Sequence, residues 1–87
     1  MPMMITLTER AAEAVAAAET AARRFNPAAR VRLARDATGG GVRFELVEGP
    51  EPGDATMTED RFTLLVAHGL DGVLDTGEHN APFLTLI

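Results

Sequence analysis

Polar and apolar residues alternate along Arg30-Val31-Arg32-Leu33-Ala34-Arg35, with Val31 and Leu33 on one side and Arg30 and Arg32 on the other. That period of two is the signature of a half-buried strand. After Asp36-Ala37-Thr38-Gly39-Gly40-Gly41 it returns, with Val42, Phe44 and Leu46 opposed to Arg43 and Glu45. The two segments are predicted to form a hairpin around a glycine loop, with Arg32 or Arg30 facing Glu45 across it. Upstream the period changes. Met3 to Leu7 reads as a short strand, and Thr8 then offers a hydroxyl to the first amides of a helix whose first turn carries Glu9. From Glu9 to about Arg24 nearly every residue favours helix, Glu19 stands four before Arg23, and Asn26-Pro27 stops the run. The predicted apolar stripe is Ala12, Val15, Ala16, Ala22 and Phe25. It is almost wholly methyl groups, so this helix can lie close against a sheet.

Downstream, Gly49-Pro50-Glu51-Pro52-Gly53-Asp54 cannot continue a strand, because prolines lack the donor and glycines favour turns. A surface loop is expected there. Ala55 to Thr58, a turn at Glu59-Asp60, and Phe62, Leu64 and Val66 suggest a second hairpin, closed by His68-Gly69. Leu70, Val73 and Leu74 follow, then a turn from Gly77 to Pro82 and a final strand from Phe83 to Ile87. One N-terminal helix with many short, closely spaced strands implies an α+β fold that is mostly β, a folded-over mixed sheet. The inward sets Val31 and Leu33, Val42, Phe44 and Leu46, and Phe62, Leu64 and Val66 are its expected core.

Length fits one domain spanning residues 1–87. Composition narrows the chemistry sharply. The chain contains no Cys, Ser, Lys, Gln, Tyr or Trp. Serine and cysteine nucleophiles, Schiff-base lysines, Walker phosphate loops and thiolate metal cages are thereby excluded, and an enzyme is not expected. Eight arginines against thirteen acidic residues give 8 − 13 = −5, so neither nucleic acid nor an anionic membrane is an expected partner. No apolar run approaches the roughly 18 residues that cross a bilayer. Met1-Pro2-Met3-Met4 has neither the basic region nor the apolar stretch of an export signal, so a cytoplasmic location is expected.

Few side chains remain that could do chemistry. His68 and His79 titrate near neutrality at their ordinary pKa, and both sit beside turns with nearby carboxylates: Asp71 and Asp75, and Glu78. If those turns meet, His68, His79 and Asp71 make a divalent-metal site. Their spacing matches no compact ligand motif, and a structural role is the commoner one. As a general base, a histidine here has no partner nucleophile beyond threonines and water. Gly39, Gly40 and Gly41 could present backbone amides to a small anion, flanked by Arg35 and Arg43. Without Lys, Ser or a following helix, that loop is expected to be a hairpin tip. The acidic residues Glu45, Glu48, Glu51, Asp54, Glu59 and Asp60 lack compensating charge except at the ends of their stretch. They read as a solvated loop and are not spaced as a calcium loop requires. Met1, Met3 and Met4 are better explained by packing than as soft ligands.

The order of these elements resembles the A-type iron–sulfur carrier family, the HesB/IscA-like domain. The resemblance rests on Ile5-Thr6-Leu7-Thr8 leading into Ala11-Ala12, Val31-Arg32-Leu33, the glycine loop at Gly39 to Gly41, Pro50-Glu51-Pro52-Gly53-Asp54, and Leu70-Asp71-Gly72-Val73-Leu74-Asp75. It covers nearly the whole chain and implies the HesB-like pseudobarrel. It also implies iron or iron–sulfur cluster binding through three cysteines, one in the glycine loop and two in a C-terminal tail. The loop cysteine would fall at Ala37, Gly40 or a neighbour, and neither it nor the tail pair occurs within these residues. Clusters need thiolates, so the fold inference survives while the family's chemistry does not. The resulting expectation is a cysteine-free HesB-like protein without a cofactor, an accessory or interaction module for a protein partner that the sequence does not name. The alternative is a binder of a metal ion or small anion through His68, His79 and carboxylates. The apolar strand Phe83 to Ile87, which has no charged gatekeeper, adds the expectation of a homodimer that covers it.

Overall fold

Thr8 converts a strand into a helix. In the computed structural model, which describes residues 5–36 and 41–85, β1 (Ile5–Leu7) ends at this residue and α1 (Glu9–Arg23) begins. The backbone at Thr8 is extended, and its hydroxyl accepts the Ala11 N–H at 3.2 Å, satisfying one of the orphan amides of the first turn. The same hydroxyl donates to Asp75 at 2.8 Å, while the Thr8 N–H reaches the Leu74 carbonyl at 3.0 Å. A helix cap thus doubles as the tie between the start of the chain and a strand near its end.

The remaining strands are β2 (Arg30–Arg35), β3 (Val42–Val47), β4 (Ala55–Thr58), β5 (Thr63–Val66), β6 (Gly72–Thr76) and β7 (Pro82–Thr85). They form two mixed sheets, ordered β1-β6-β7 and β3-β2-β5-β4. The fold class is therefore α+β and mostly β. Both predicted hairpins are present. In the first, Arg32 lies opposite Glu45 and Leu33 opposite Phe44; in the second, Met57 lies opposite Leu64. Two pairings join distant segments and are parallel: Val31 beside Leu64, and Ile5 beside Gly72.

The core draws on α1 and both sheets. Val15, Val31, Leu33, Leu64, Val66 and Leu74 are fully buried, with Ala11, Ala12, Phe62 and Leu70 around them. Alanine at the helix face lets α1 contact both β2 and β6. Glu19 is buried on this face, where its carboxylate accepts the Thr63 N–H at 3.2 Å and pairs with Arg23 at 3.6 Å and Arg30 at 3.9 Å. A buried carboxylate persists because it is hydrogen-bonded and ion-paired.

Two expected core residues are not in the core. Phe25 is 92% exposed, since α1 ends at Arg23 and the chain folds back through N–H bonds from Phe25 and Asn26 to the Ala22 carbonyl. Leu46 is 62% exposed, and Phe44 is only half-buried. Both lie on the same sheet face as Val31 and Leu33, but the alanines of α1 are too short to cover them. At the other end, Phe83 and Leu84 pair with β6 within this chain, while Leu86 and Ile87 lie outside the described residues, as do Met1, Met3, Met4, Ala37, Gly39 and Gly40. Among the described residues no helix is long and apolar enough to cross a membrane.

Leu33→Ala is expected to lower unfolding free energy by about 2–5 kcal/mol, while Leu46→Ala should cost less than about 1 kcal/mol. Urea denaturation of both variants checks this. Equal losses would mean that Leu46 is packed.

Candidate functional site

A polar cluster of three carboxylates forms on the outer face of β2, around Arg32. Its guanidinium grips Asp54 with a fork, Nε to Oδ2 at 2.9 Å and Nη2 to Oδ1 at 3.0 Å. It also reaches Glu45 through Nη1 at 3.1 Å and Glu51 through Nη2 at 2.9 Å. Asp54 in turn accepts the Glu51 N–H at 2.9 Å, and its side chain is only 1% exposed. A second arginine, Arg43, holds Glu45 at 2.7 Å. Three of the acidic residues that read in sequence as uncompensated therefore converge on one strand arginine. Register is the cause: Glu45 lies opposite Arg32, and the loop from 49 to 54 brings Glu51 and Asp54 back over the same face.

The electrostatics follow from this geometry. Hydrogen bonding from Arg32 is the main cause holding the carboxyls of Asp54 and Glu45 below their ordinary values of 3.8 and 4.5, against the opposing effect of burial. The bond to Asp54 likewise holds the Arg32 guanidinium above its ordinary value. Every carboxylate in the cluster is engaged by guanidinium, so the group closes a loop and offers no vacant ligand set. Asp75 is similarly occupied. Its carboxylate accepts Thr8 Oγ1 and the Thr76 N–H, each at 2.8 Å, and the Thr8 bond is the first cause of its lowered pKa.

The histidines and Asp71 do not come together. His68 and Asp71 precede β6, whereas His79 follows it, in a 3-10 turn at Glu78–Asn80. The five residues of β6 span about 16 Å at about 3.3 Å each. His68 and Asp71 thus lie on one side of this strand in the chain and His79 on the other. Both histidines are exposed; His68 abuts the loop at Gly53, and His79 has a left-handed backbone with φ 58°. Among the described residues no group of three His, Cys, Asp or Glu could hold a metal ion. Of the glycine loop only Gly41 is described, with open space around it. It borders a cleft of about 470 Å³ formed with Val42, Asp71, Phe83 and Leu84.

The feature absent from the sequence reading is an apolar groove of about 420 Å³ at the end of α1. Ala18, Ala21 and Ala22 form one wall, Phe44 and Leu46 the other, and Phe25 stands at its mouth. Its sequence signal was available: Phe25 falls beside the Asn26-Pro27 stop, and a stripe of alanines cannot reach across a strand carrying Phe and Leu.

Arg32→Met should lower stability by about 3 kcal/mol at neutral pH, since it leaves buried Asp54 and its neighbour Glu51 without their cation while Glu45 keeps only Arg43. In the intact protein the depressed carboxyls contribute stability above their ordinary pKa values, and lose it as pH falls through the lowered folded values. The variant instead gains from protonation, so the gap should narrow between pH 7 and about pH 3.5. Denaturant melts across that range test it. A gap that stays constant would show that the cluster contributes no charge-dependent stability.

No family model and no curated protein matches the sequence. Among solved structures the chain is similar to one described as the crystal structure of IscA with the [2Fe-2S] cluster. The two are 18% identical over 92% of this chain and 80% of that one, with a TM-score of 0.41.

Proposed function

We propose that this chain is a non-catalytic interaction module of the HesB/IscA-like type, working in the cytoplasm without a cluster of its own. The observation behind this reading is the groove at the end of α1. Phe25 and Leu46 leave 92% and 62% of their surface in water beside a wall of alanine methyls. A contiguous apolar surface of this kind is what contact surfaces offer, whereas isolated exposed hydrophobic residues need no explanation.

The residue inventory supports the same reading. No thiolate is present to hold a cluster, and the acidic residues around Arg32 are engaged with it. The HesB-like part of the proposal rests on the ordered phrases from Ile5-Thr6-Leu7-Thr8 to Leu70-Asp71-Gly72-Val73-Leu74-Asp75.

Two measurements test it. Anaerobic incubation with iron and sulfide is expected to give no cluster absorption; a stable chromophore with stoichiometric iron and sulfide would overturn the cluster-free reading. A photo-reactive benzophenone side chain placed at Phe25 and irradiated in the native host is expected to give a discrete covalent protein adduct. The same probe at His79, an exposed position in the 3-10 turn, should give none. The absence of any adduct at Phe25 would remove the case for a contact surface there.

A further inference from the structure

We propose that β4 takes up an extended peptide of a partner protein as a further strand of its sheet, with the peptide's inward side chains entering the cleft between β4 and β1. The order β3-β2-β5-β4 leaves β4 at one margin of its sheet, and the order β1-β6-β7 leaves β1 at a margin of the other. A cleft of about 470 Å³ lies between these two edges, lined by Ile5 and Leu7 of β1, Met57 of β4, and Ala12 and Phe62. It shares no lining residue with the groove at the end of α1, so this is a second surface and does not rest on the first.

The ladders fix where the backbone groups of both edges point. The Glu59 N–H reaches the Phe62 carbonyl at 2.9 Å, so alternation along β4 turns Ala55 and Met57 toward β5 and turns Thr56 and Thr58 outward. On β1 the Thr8 N–H reaches the Leu74 carbonyl at 3.0 Å, which turns Thr6 toward β6 and turns Ile5 and Leu7 away from it. Among the described residues no strand pairs with these outward N–H and C=O groups. β4 also lacks the devices that protect an edge: Ala55-Thr56-Met57-Thr58 holds no charge and no proline, and its register with β5 is unbroken. At the opposite margin of the same sheet, β3 carries Arg43 and Glu45 and lies against β7.

The surroundings define the occupant's chemistry. Pairing with the main chain of Thr56 and Thr58 demands an extended segment, because a helix has already spent its N–H and C=O groups internally. Residues opposite Ala55 and Met57 project to the same face as these two and meet the cleft, so they are apolar. Past the end of β4, Glu59 and Asp60 border the cleft, and the adjacent Arg61 is paired with Glu9 at 3.2 Å. A peptide antiparallel to β4 therefore carries arginine or lysine at its N-terminal end, beside these carboxylates.

Titration of the blocked hexapeptide Arg-Arg-Thr-Val-Thr-Val into the isotope-labelled full chain, followed by amide NMR, tests the assignment. Its threonines lie opposite Thr58 and Thr56 and its valines opposite Met57 and Ala55. Saturable shifts are expected at Thr56 and Thr58, and across the cleft at Ile5 and Leu7, with none at Ala22 or Leu46. Thr56→Pro removes one outward donor and leaves the β4–β5 ladder intact, so it should weaken binding by at least about tenfold. Thr56→Val keeps that N–H and should bind as the intact chain does. N-methylation of the peptide's two threonines removes the same bonds from the other side, with no variant to fold, and should abolish the shifts. No shift at millimolar peptide overturns the proposal, as does equal binding by the N-methylated peptide. Shifts at Thr56 and Thr58 that grow with protein concentration alone would give the edge to a second copy and overturn it too. The adduct at Phe25 is read on other residues, so either surface can fail without the other.

Discussion

The closeness with which an alanine-faced helix can approach a sheet governs this structure. α1 meets β2 and β6, members of different sheets, and buries Ala11, Ala12 and Val15 in the core. Methyl side chains give up little rotamer entropy and allow short separations, so one helix of 15 residues serves both sheets. The same shortness sets its limit. Near the end of α1 the alanines leave Phe44 half-covered and Leu46 exposed, and Phe25 has left the helix. The core and the groove are two results of one choice of side chain.

Polar ties stand where methyl packing stops. Thr8 caps α1 and binds Asp75, which joins the first strand and the helix to β6. Glu19 links the middle of α1 to β5 through the Thr63 N–H. Arg32 draws Asp54 and Glu51 onto the outer face of β2, so that a loop rich in proline and glycine, with no ladder of its own, has a defined place. In each case a group out of water has a charged or hydrogen-bonding partner, and among the described residues no buried side-chain polar atom lacks one.

These ties also bear on function. The carboxylates of Glu45, Glu51 and Asp54 are bound to the Arg32 guanidinium and that of Asp75 to the Thr8 hydroxyl, and the histidines lie on either side of β6 in the chain. At the end of α1 the structure leaves an apolar groove walled by Ala18, Ala21 and Ala22 on one side and Phe44 and Leu46 on the other. Fold and chemistry are separable in this way because a scaffold is specified by packing, whereas an activity needs particular groups at particular distances.

The sequence by itself determined the local elements and the limits on chemistry. Periods of two and 3.6, the Thr8 cap, the Asn26-Pro27 stop and the hairpin turns are short-range effects, and each was legible in a few neighbouring residues. The absence of cysteine is likewise a property of composition. Tertiary structure alone decided which inward-facing residues were covered. Val42, Phe44 and Leu46 carry the same alternation as Val31 and Leu33, yet burial depends on the length of the side chains on the element packed above them. It also decided which charges met. Asp54 is 22 residues from Arg32 and Asp75 is 67 from Thr8; the β1–β6 pairing sets Thr8 beside Asp75, and the loop from β3 to β4 carries Asp54 back over β2. Periodicity states which side of a strand a residue faces, and only the packed chain determines what lies on that side.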